Sequence, residues 1–273
     1  MIISYHAQGR LGNNIFQYIA VKVIQKYVIE LGIGECKYEF MTKDEANNRR
    51  FNWFSEFQFK QLYDIISSFR DDKINYLKPF LHNNWFFDGF YQFDYHIRDN
   101  LDYIRGLFTE YNEERINDTY RVCDIVRGIN NHKIDFKEND IVTHVRLDDF
   151  LTANGGYIID HRCISKIINR IDNKGTIYVV CDKLKTSFEI KYMKEFKDNI
   201  NYKLISSNDM FKDLAYLWKA PNLICNNSTF CWIAYIFGEH NKVWMPKNLG
   251  HCPPQHFEKV INGDDIYDWN VYR

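Results

Sequence analysis

Short runs of β-branched and aromatic residues alternate along the chain with longer runs in which apolar side chains recur every three or four positions. That alternation predicts strands joined by helices, the signature of α/β units with parallel sheets. Ile2 to Tyr5 is the first strand. After Gly9 to Asn14, the residues Ile15, Phe16, Ile19, Ala20, Val23, Ile24, Tyr27, Val28 and Leu31 form one stripe of a long amphipathic helix. The middle is aromatic and irregular from Asn48 to Phe93. There Trp85 to Phe90 reads as a strand, and helical patterns continue through Tyr95 to Phe108 and Glu113 to Ile129. The polar stretch Asn130 to Asp140 is the expected boundary between an N-terminal domain, 1–135, and a C-terminal one, 136–273. Beyond it, strands are predicted at Ile141 to Val145, Thr176 to Cys181, Asn201 to Ile205, Asn222 to Cys225 and Lys242 to Met245. Helical segments separate most of them, so this half reads as doubly wound. The segment after Pro254 carries too little pattern to place.

Composition narrows the class. A chain of 273 residues has room for two α/β units of roughly 120 residues each. With 45% hydrophobic and 17% aromatic residues, disorder is excluded. The net charge of −1 and a pI near 6.7 supply no basic field for a nucleic-acid partner, so any phosphate recognition must be local. The seven cysteines are odd in number and include no CxxC pair. They predict neither a disulfide framework nor a cysteine-rich zinc site, and they favour a reducing, cytoplasmic setting. Met1 to Tyr5 has no basic leader, and no apolar run approaches the length of a membrane span.

Three polar clusters stand at the ends of predicted strands. Gly9-Arg10-Leu11-Gly12-Asn13-Asn14 lies between the first strand and the long helix. Glycines there allow a tight turn and close approach of a ligand, and the helix start favours an anion, although a βα turn can need glycine for its own geometry alone. His144-Val145-Arg146-Leu147-Asp148-Asp149-Phe150 closes and extends the strand Ile141 to Val145. Arginine offers a planar fork to phosphate oxygens and histidine a further donor; an Arg–Asp ion pair closing a loop is the plain alternative. Asn226-Asn227-Ser228-Thr229 comes after another strand and opens the run Phe230 to Phe237, as either an anion site or a simple helix cap. Strand ends of α/β sheets are where ligands gather, and three such clusters in one chain weigh more than any one.

The order of these motifs resembles that of the α-1,2-fucosyltransferase family. Gly9-Arg10-Leu11-Gly12-Asn13-Asn14-Ile15-Phe16-Gln17-Tyr18 is similar to the family's GRLGNQMFQYA signature, departing over these ten positions only at Asn14 and Ile15. Asp88-Gly89-Phe90-Tyr91-Gln92 looks like its DGYFQ element. His144 to Phe150 stands where the family has HVRRGDY, and Asn226 to Trp232 where it has a Ser/Phe/Trp-rich helix start. The resemblance covers roughly residues 1 to 250.

This resemblance implies a GT-B-like α/β fold, two Rossmann-like domains facing across a cleft, the first on the acceptor side and the second holding GDP-fucose. Carried over by motif, Arg146 binds the β-phosphate with support from His144, and Asn227, Ser228 and Thr229 hold phosphate from the other side. Asp213 reads guanine, with Asp182 as a second candidate. Arg10, Gly12 and Asn13 approach the fucose and the departing phosphate. The implied reaction is metal-independent, inverting transfer of L-fucose to a hydroxyl of a glycan acceptor, O-2 by the family's linkage, with no cofactor beyond the donor itself. Asp149 is the first candidate for a general base, although an ion pair to Arg10 or Arg146 would equally explain it. Two positions depart from the family: Leu147 replaces the second arginine and Asp148 the glycine. A lost guanidinium removes a charge-assisted contact worth about 1.5 to 3 kcal/mol where it is made. Another nucleotide deoxysugar as donor, or a catalytically silent glycan- or nucleotide-binding module, are the alternatives those departures leave open. A Rossmann oxidoreductase fits poorly, since the glycine turn lacks GxGxxG spacing.

Overall fold

The computed structural model describes residues 1–7, 9–32, 35–67, 80, 83–147, 150, 157–247 and 265–272. The chain divides into two compact units, Met1–Asp124 and Ile125–Arg273. The division falls inside a helix, Val122–Asn130, ahead of the polar stretch Asn130 to Asp140.

In the first unit, β1 (Ile2–Tyr5), β2 (Lys37–Phe40), β3 (Asn52–Phe54) and β4 (Trp85–Phe87) form a parallel sheet in the order β2-β1-β4-β3. Helix α1 (Leu11–Glu30) comes after β1 and is buried almost all round over its first four turns. Such a helix lies inside a core rather than on a surface. It stops where Gly32 takes up the left-handed backbone, φ +62°, that commonly ends helices. The short α2 (Lys43–Asn48) is closed by a capping box between Thr42 and Glu45. Helix α3 (Glu56–Ser67) buries Phe59, Leu62, Tyr63 and Ile66. Its Phe59 meets Phe87 and Tyr91 edge-on, with ring centroids 6.0 and 5.1 Å away.

The helical run expected over Tyr95 to Phe108 is two pieces, α4 (Asp94–Arg98) and α5 (Leu101–Leu107). Asn100 interrupts it: its buried side chain donates to the His96 carbonyl and the Tyr63 hydroxyl. Of the expected helix over Glu113 to Ile129, only α6 (Val122–Asn130) forms. The Asn117 carboxamide oxygen accepts from the Thr119 and Tyr120 amides at 2.8 and 2.7 Å, folding the segment back so that Arg115 bridges antiparallel to Arg121. Asparagine favours such turns over helix because its side chain competes for local backbone donors.

The second unit carries β5 (Ile141–Val145), β6 (Ile177–Cys181), β7 (Lys203–Ile205), β8 (Asn222–Ile224), β9 (Lys242–Pro246) and β10 (Asp265–Tyr267). All pair in parallel, in the order β10-β9-β8-β5-β6-β7. The connections carry α7 (His161–Asn169), α8 (Ser187–Asn199), α9 (Met210–Trp218) and α10 (Thr229–Phe237). Every residue of β5 is buried, as a central strand covered on both faces requires. The chain runs outward from β5 through β6 to β7, then returns to the other side of β5 and runs outward again. Order therefore reverses between β5 and β8, the doubly wound, Rossmann-like pattern the sequence predicts. The amino edge of this sheet is pinned by structural polar groups. The buried Asp140 carboxylate accepts from the Lys137 and Thr176 amides at 2.9 and 2.7 Å, and Asn222 donates to the Glu138 and Asp140 carbonyls. β10 adds an edge strand that the sequence pattern does not reveal.

Candidate functional site

The carboxyl edge of the second sheet gathers the polar candidates of this unit. Val145 on β5 is in register with Cys181 on β6, so the next residues, Arg146 and Asp182, leave neighbouring strands side by side. Arg146 Nη1 donates to Asp182 Oδ2 at 2.7 Å. The arginine side chain is only 8% exposed against 35% for its partner, so the pair lies at the margin of the interior with the carboxylate toward solvent. This pair differs from the loop-closing surface pair weighed for the motif: it joins two neighbouring strand ends through Asp182 and takes one side of the guanidinium fork.

His144, one residue earlier on β5, is buried, and its Nδ1 has no hydrogen-bond partner among the described residues. Burial drives its pKa down to about 4, against the opposing pull of the Asp182 carboxylate and a hydrogen bond with the Asn226 side chain. At neutral pH the ring is therefore uncharged, and it can donate only one proton. Its ring centre is 5.6 Å from that of Phe230.

On the other side of the order reversal, β8 leads through Cys225 into Asn226-Asn227-Ser228-Thr229. Asn226 Oδ1 accepts from the Ser228 amide at 3.0 Å, and the Asn226 carbonyl from Trp232 Nε1 at 2.7 Å. Ser228 caps α10 by accepting from the Phe230 amide at 3.4 Å, and Thr229 is the first helical residue. Asn227 Nδ2 donates to the Tyr157 carbonyl at 2.8 Å. Asn226, Asn227 and Ser228 are all buried, so this turn is rigidly built around the start of α10. Its cap role is present in full, and the helix start it builds lies beside His144 and Arg146 on the neighbouring strand.

Asp213 sits in the first turn of α9, half-buried, accepting from Ser207 Oγ at 2.8 Å. Burial raises its pKa to about 6; the Ser207 hydrogen bonds oppose the shift, and the Asp182 and Asp209 carboxylates add to it. The structure thus brings His144, Arg146, Asp182 and Asn226 to Thr229 to the ends of the central strands, with Asp213 close enough to feel Asp182. Asp148 and Asp149 lie outside the described residues. Leu147, where the family motif has its second arginine, is buried in the apolar core of this unit.

The remaining candidates lie in the first unit. Gly9 has φ +75°, and a Cβ there would stand 2.3 Å from Asn13 Nδ2, so the turn needs glycine both for its backbone and for the side chain packed on it. Arg10 is the exposed N-cap of α1, and its side chain makes no capping bond to the helix. Gly12 lies buried in the first turn. Asn13 Oδ1 accepts from Gln92 Nε2 at 3.0 Å, Gln17 Nε2 donates to the Gly89 carbonyl at 2.8 Å, and Asn117 Nδ2 donates to Asn14 Oδ1 at 2.8 Å. The two motifs of this half, far apart in sequence, are therefore one hydrogen-bonded assembly. Sequence reasoning did not mark Gln92, Asn117, Ser207 or Tyr157 as partners. Gln92 alone had a signal, as the last residue of the Asp88 to Gln92 motif.

Among solved structures, the chain is similar to a mutant of Arabidopsis thaliana FUT1 in complex with GDP. The TM-score is 0.46 at 9% identity, over 92% of this chain and 73% of that one. It is also similar to the E. coli heptosyltransferase WaaC with ADP (TM-score 0.47, 10% identity, 98% of this chain and 93% of that one) and to POFUT1 in complex with GDP (0.45, 12%, 89% and 96%). No family model and no curated protein sequence matches the chain.

Proposed function

We propose that the protein is an inverting, metal-independent glycosyltransferase that moves L-fucose from GDP-fucose to a hydroxyl, O-2, of a glycan acceptor. One observation carries the reading: a rigid helix start, a buried neutral histidine and an arginine converge at the carboxyl ends of β5 and β8, where strand order reverses. Open α/β sheets bind their ligands there, and that set of donors suits a diphosphate. Arg146 takes the charge that builds on departing GDP; His144, Asn227, Ser228 and Thr229 complete the phosphate contacts; Asp213 accepts from guanine. Asp182 keeps Arg146 aligned through the 2.7 Å bond, which favours it as a positioner over its other candidacy as base reader. The first unit has the acceptor-side role, with Arg10, Gly12 and Asn13 acting on the transferred sugar, and Asp149 of the second unit is the candidate base.

A second reading, transfer from a different nucleotide deoxysugar, is favoured by Leu147. A residue packed in the core cannot supply the missing guanidinium. Melting shifts with GDP, ADP, UDP, dTDP and NAD, followed by GDP release from GDP-fucose with galactose-terminated acceptors, test both. A shift specific to GDP with acceptor-dependent release supports the first reading. A larger shift with another diphosphate replaces it by the second, and binding without release with any acceptor leaves a silent binding module.

A further inference from the structure

Glu56 opens α3 and belongs to none of the motifs, yet its carboxylate organises one of them. Glu56 Oε1 accepts from the amides of both Phe90 and Tyr91, at 2.7 and 2.9 Å. Between them these bonds hold Tyr91 at φ +53°, a left-handed conformation costly for a bulky side chain, while its ring is fully buried and its hydroxyl donates to the Phe54 carbonyl at 2.6 Å. The turn so made aims its neighbours. The Gly89 carbonyl receives Gln17 Nε2, and Gln92, 6% exposed, donates to Asn13 Oδ1. Asn13 is thereby fixed from two sides, its oxygen by Gln92 and its nitrogen packed on Gly9. Gly89 is explained by the same contact, since a Cβ there would stand 2.6 Å from Glu56 Cγ.

We propose that Glu56 is a positioning residue for transfer, acting through the 88–92 turn and Gln92 to hold the Asn13 carboxamide in its working orientation. This role rests on the glycosyl-transfer reading above. Without the Glu56 carboxylate, the Phe90 and Tyr91 amides lose their acceptor, Tyr91 is free to relax toward negative φ, and Gln92 moves off Asn13. Misplacement of a substrate-orienting group by about 1 Å can cost on the order of a hundredfold in rate.

The experiment compares wild type with Glu56→Ala, Glu56→Gln and Gly89→Ala. It measures kcat and KM with GDP-fucose and a galactoside acceptor, the melting shift given by GDP, and amide exchange at Phe90 and Tyr91. Glu56→Ala is expected to lower kcat on the order of a hundredfold, to deprotect both amides and to leave the GDP shift intact. Glu56→Gln keeps an acceptor oxygen and should recover most of the rate. Gly89→Ala, whose new methyl displaces the Glu56 side chain, should repeat the loss. An unchanged kcat in Glu56→Ala, amides equally protected in its presence and absence, or a loss that glutamine does not rescue overturns the positioning role alone. Wild-type protein that neither responds to GDP nor transfers sugar overturns the function above, and this role with it.

Discussion

At the residue scale, the pairing of Arg146 with Asp182 decides how a mutant there should be read. Both groups serve fold and proposed chemistry at once, so loss of either removes a charge-assisted hydrogen bond worth about 1.5 to 3 kcal/mol before any effect on rate. Arg146→Ala should lower turnover at saturating donor by about a hundredfold or more, the scale of one preorganised charge-stabilising donor. Arg146→Lys should restore only part, because a point charge cannot pair with Asp182 and a phosphate as a fork does. Wild-type kcat in a folded Arg146→Ala protein, checked by circular dichroism, would reduce the arginine to a structural ion pair. Asp213 gives a second, pH-dependent test. Its folded pKa is raised to about 6 from an ordinary carboxyl's value, so its contribution favours the fold at low pH and is lost as pH rises through 6. Asp213→Asn keeps an acceptor for Ser207 and removes the desolvated charge. It should therefore match wild type near pH 4 and exceed it at pH 7 by roughly 1 kcal/mol, discounted for partial exposure. A guanine held by the ionised carboxylate binds with the opposite sense. GDP affinity should fall as pH drops below about 6 in wild type and change less in Asp213→Asn; equal pH profiles by calorimetry would remove Asp213 from base reading. The strand-end residues were legible in sequence because they come directly after strong strand patterns. Glu56 and Ser207 were not, because a side chain that accepts from distant amides, as Glu56 does, or donates to a neighbouring carboxylate, as Ser207 does to Asp213, leaves no mark on periodicity.

At the scale of elements, the sequence pattern agrees with the structure where burial is one-sided or complete over enough residues to show a period. β1 and β5 run over the residues expected, whereas α1 begins at Leu11, inside the turn expected to precede it, ends at Glu30, and over its first four turns is buried almost all round instead of along one stripe. The pattern failed where side-chain hydrogen bonds override it: Asn100 splits one expected helix and Asn117 turns another back on itself. It also passed over β2 and β3, of four and three residues, and α3, whose apolar stripe Phe59, Leu62, Tyr63, Ile66 was hidden in a region dense with aromatics. The turn into α1 is the element on which the first motif depends, and it yields a prediction of its own. Gly9→Ala meets both a left-handed backbone and the Asn13 carboxamide, so it should destabilise by about 1–3 kcal/mol and shift Asn13. Urea unfolding should show a lower midpoint with an unchanged m-value. A variant as stable as wild type would mean that the turn relaxes freely, and that Asn13 is not held by it.

At the scale of the whole molecule, the doubly wound order of the second unit does not by itself choose between a nucleotide sugar and a dinucleotide, because both use the carboxyl edge at the order reversal. The chemistry after β5 separates them. A dinucleotide fold places a glycine-rich turn there, whereas this chain places Arg146 and a core leucine. The division into two units makes the distinction measurable on the intact protein, because a ligand that binds only the native state stabilises by about 2.7 kcal/mol at a hundredfold excess over its dissociation constant. Amide exchange read by mass spectrometry should place the protection given by GDP in peptides spanning 142–147, 205–214 and 224–232, all in the second unit, with no matching gain in 9–17 or 88–92. NAD at the same excess should protect none of them. Protection by GDP confined to the Gly9 turn would move the donor to the first unit and leave Arg146 and Asp213 without their assigned roles. Equal protection by NAD at the β5 and β8 ends would favour the oxidoreductase that the missing glycine motif argues against.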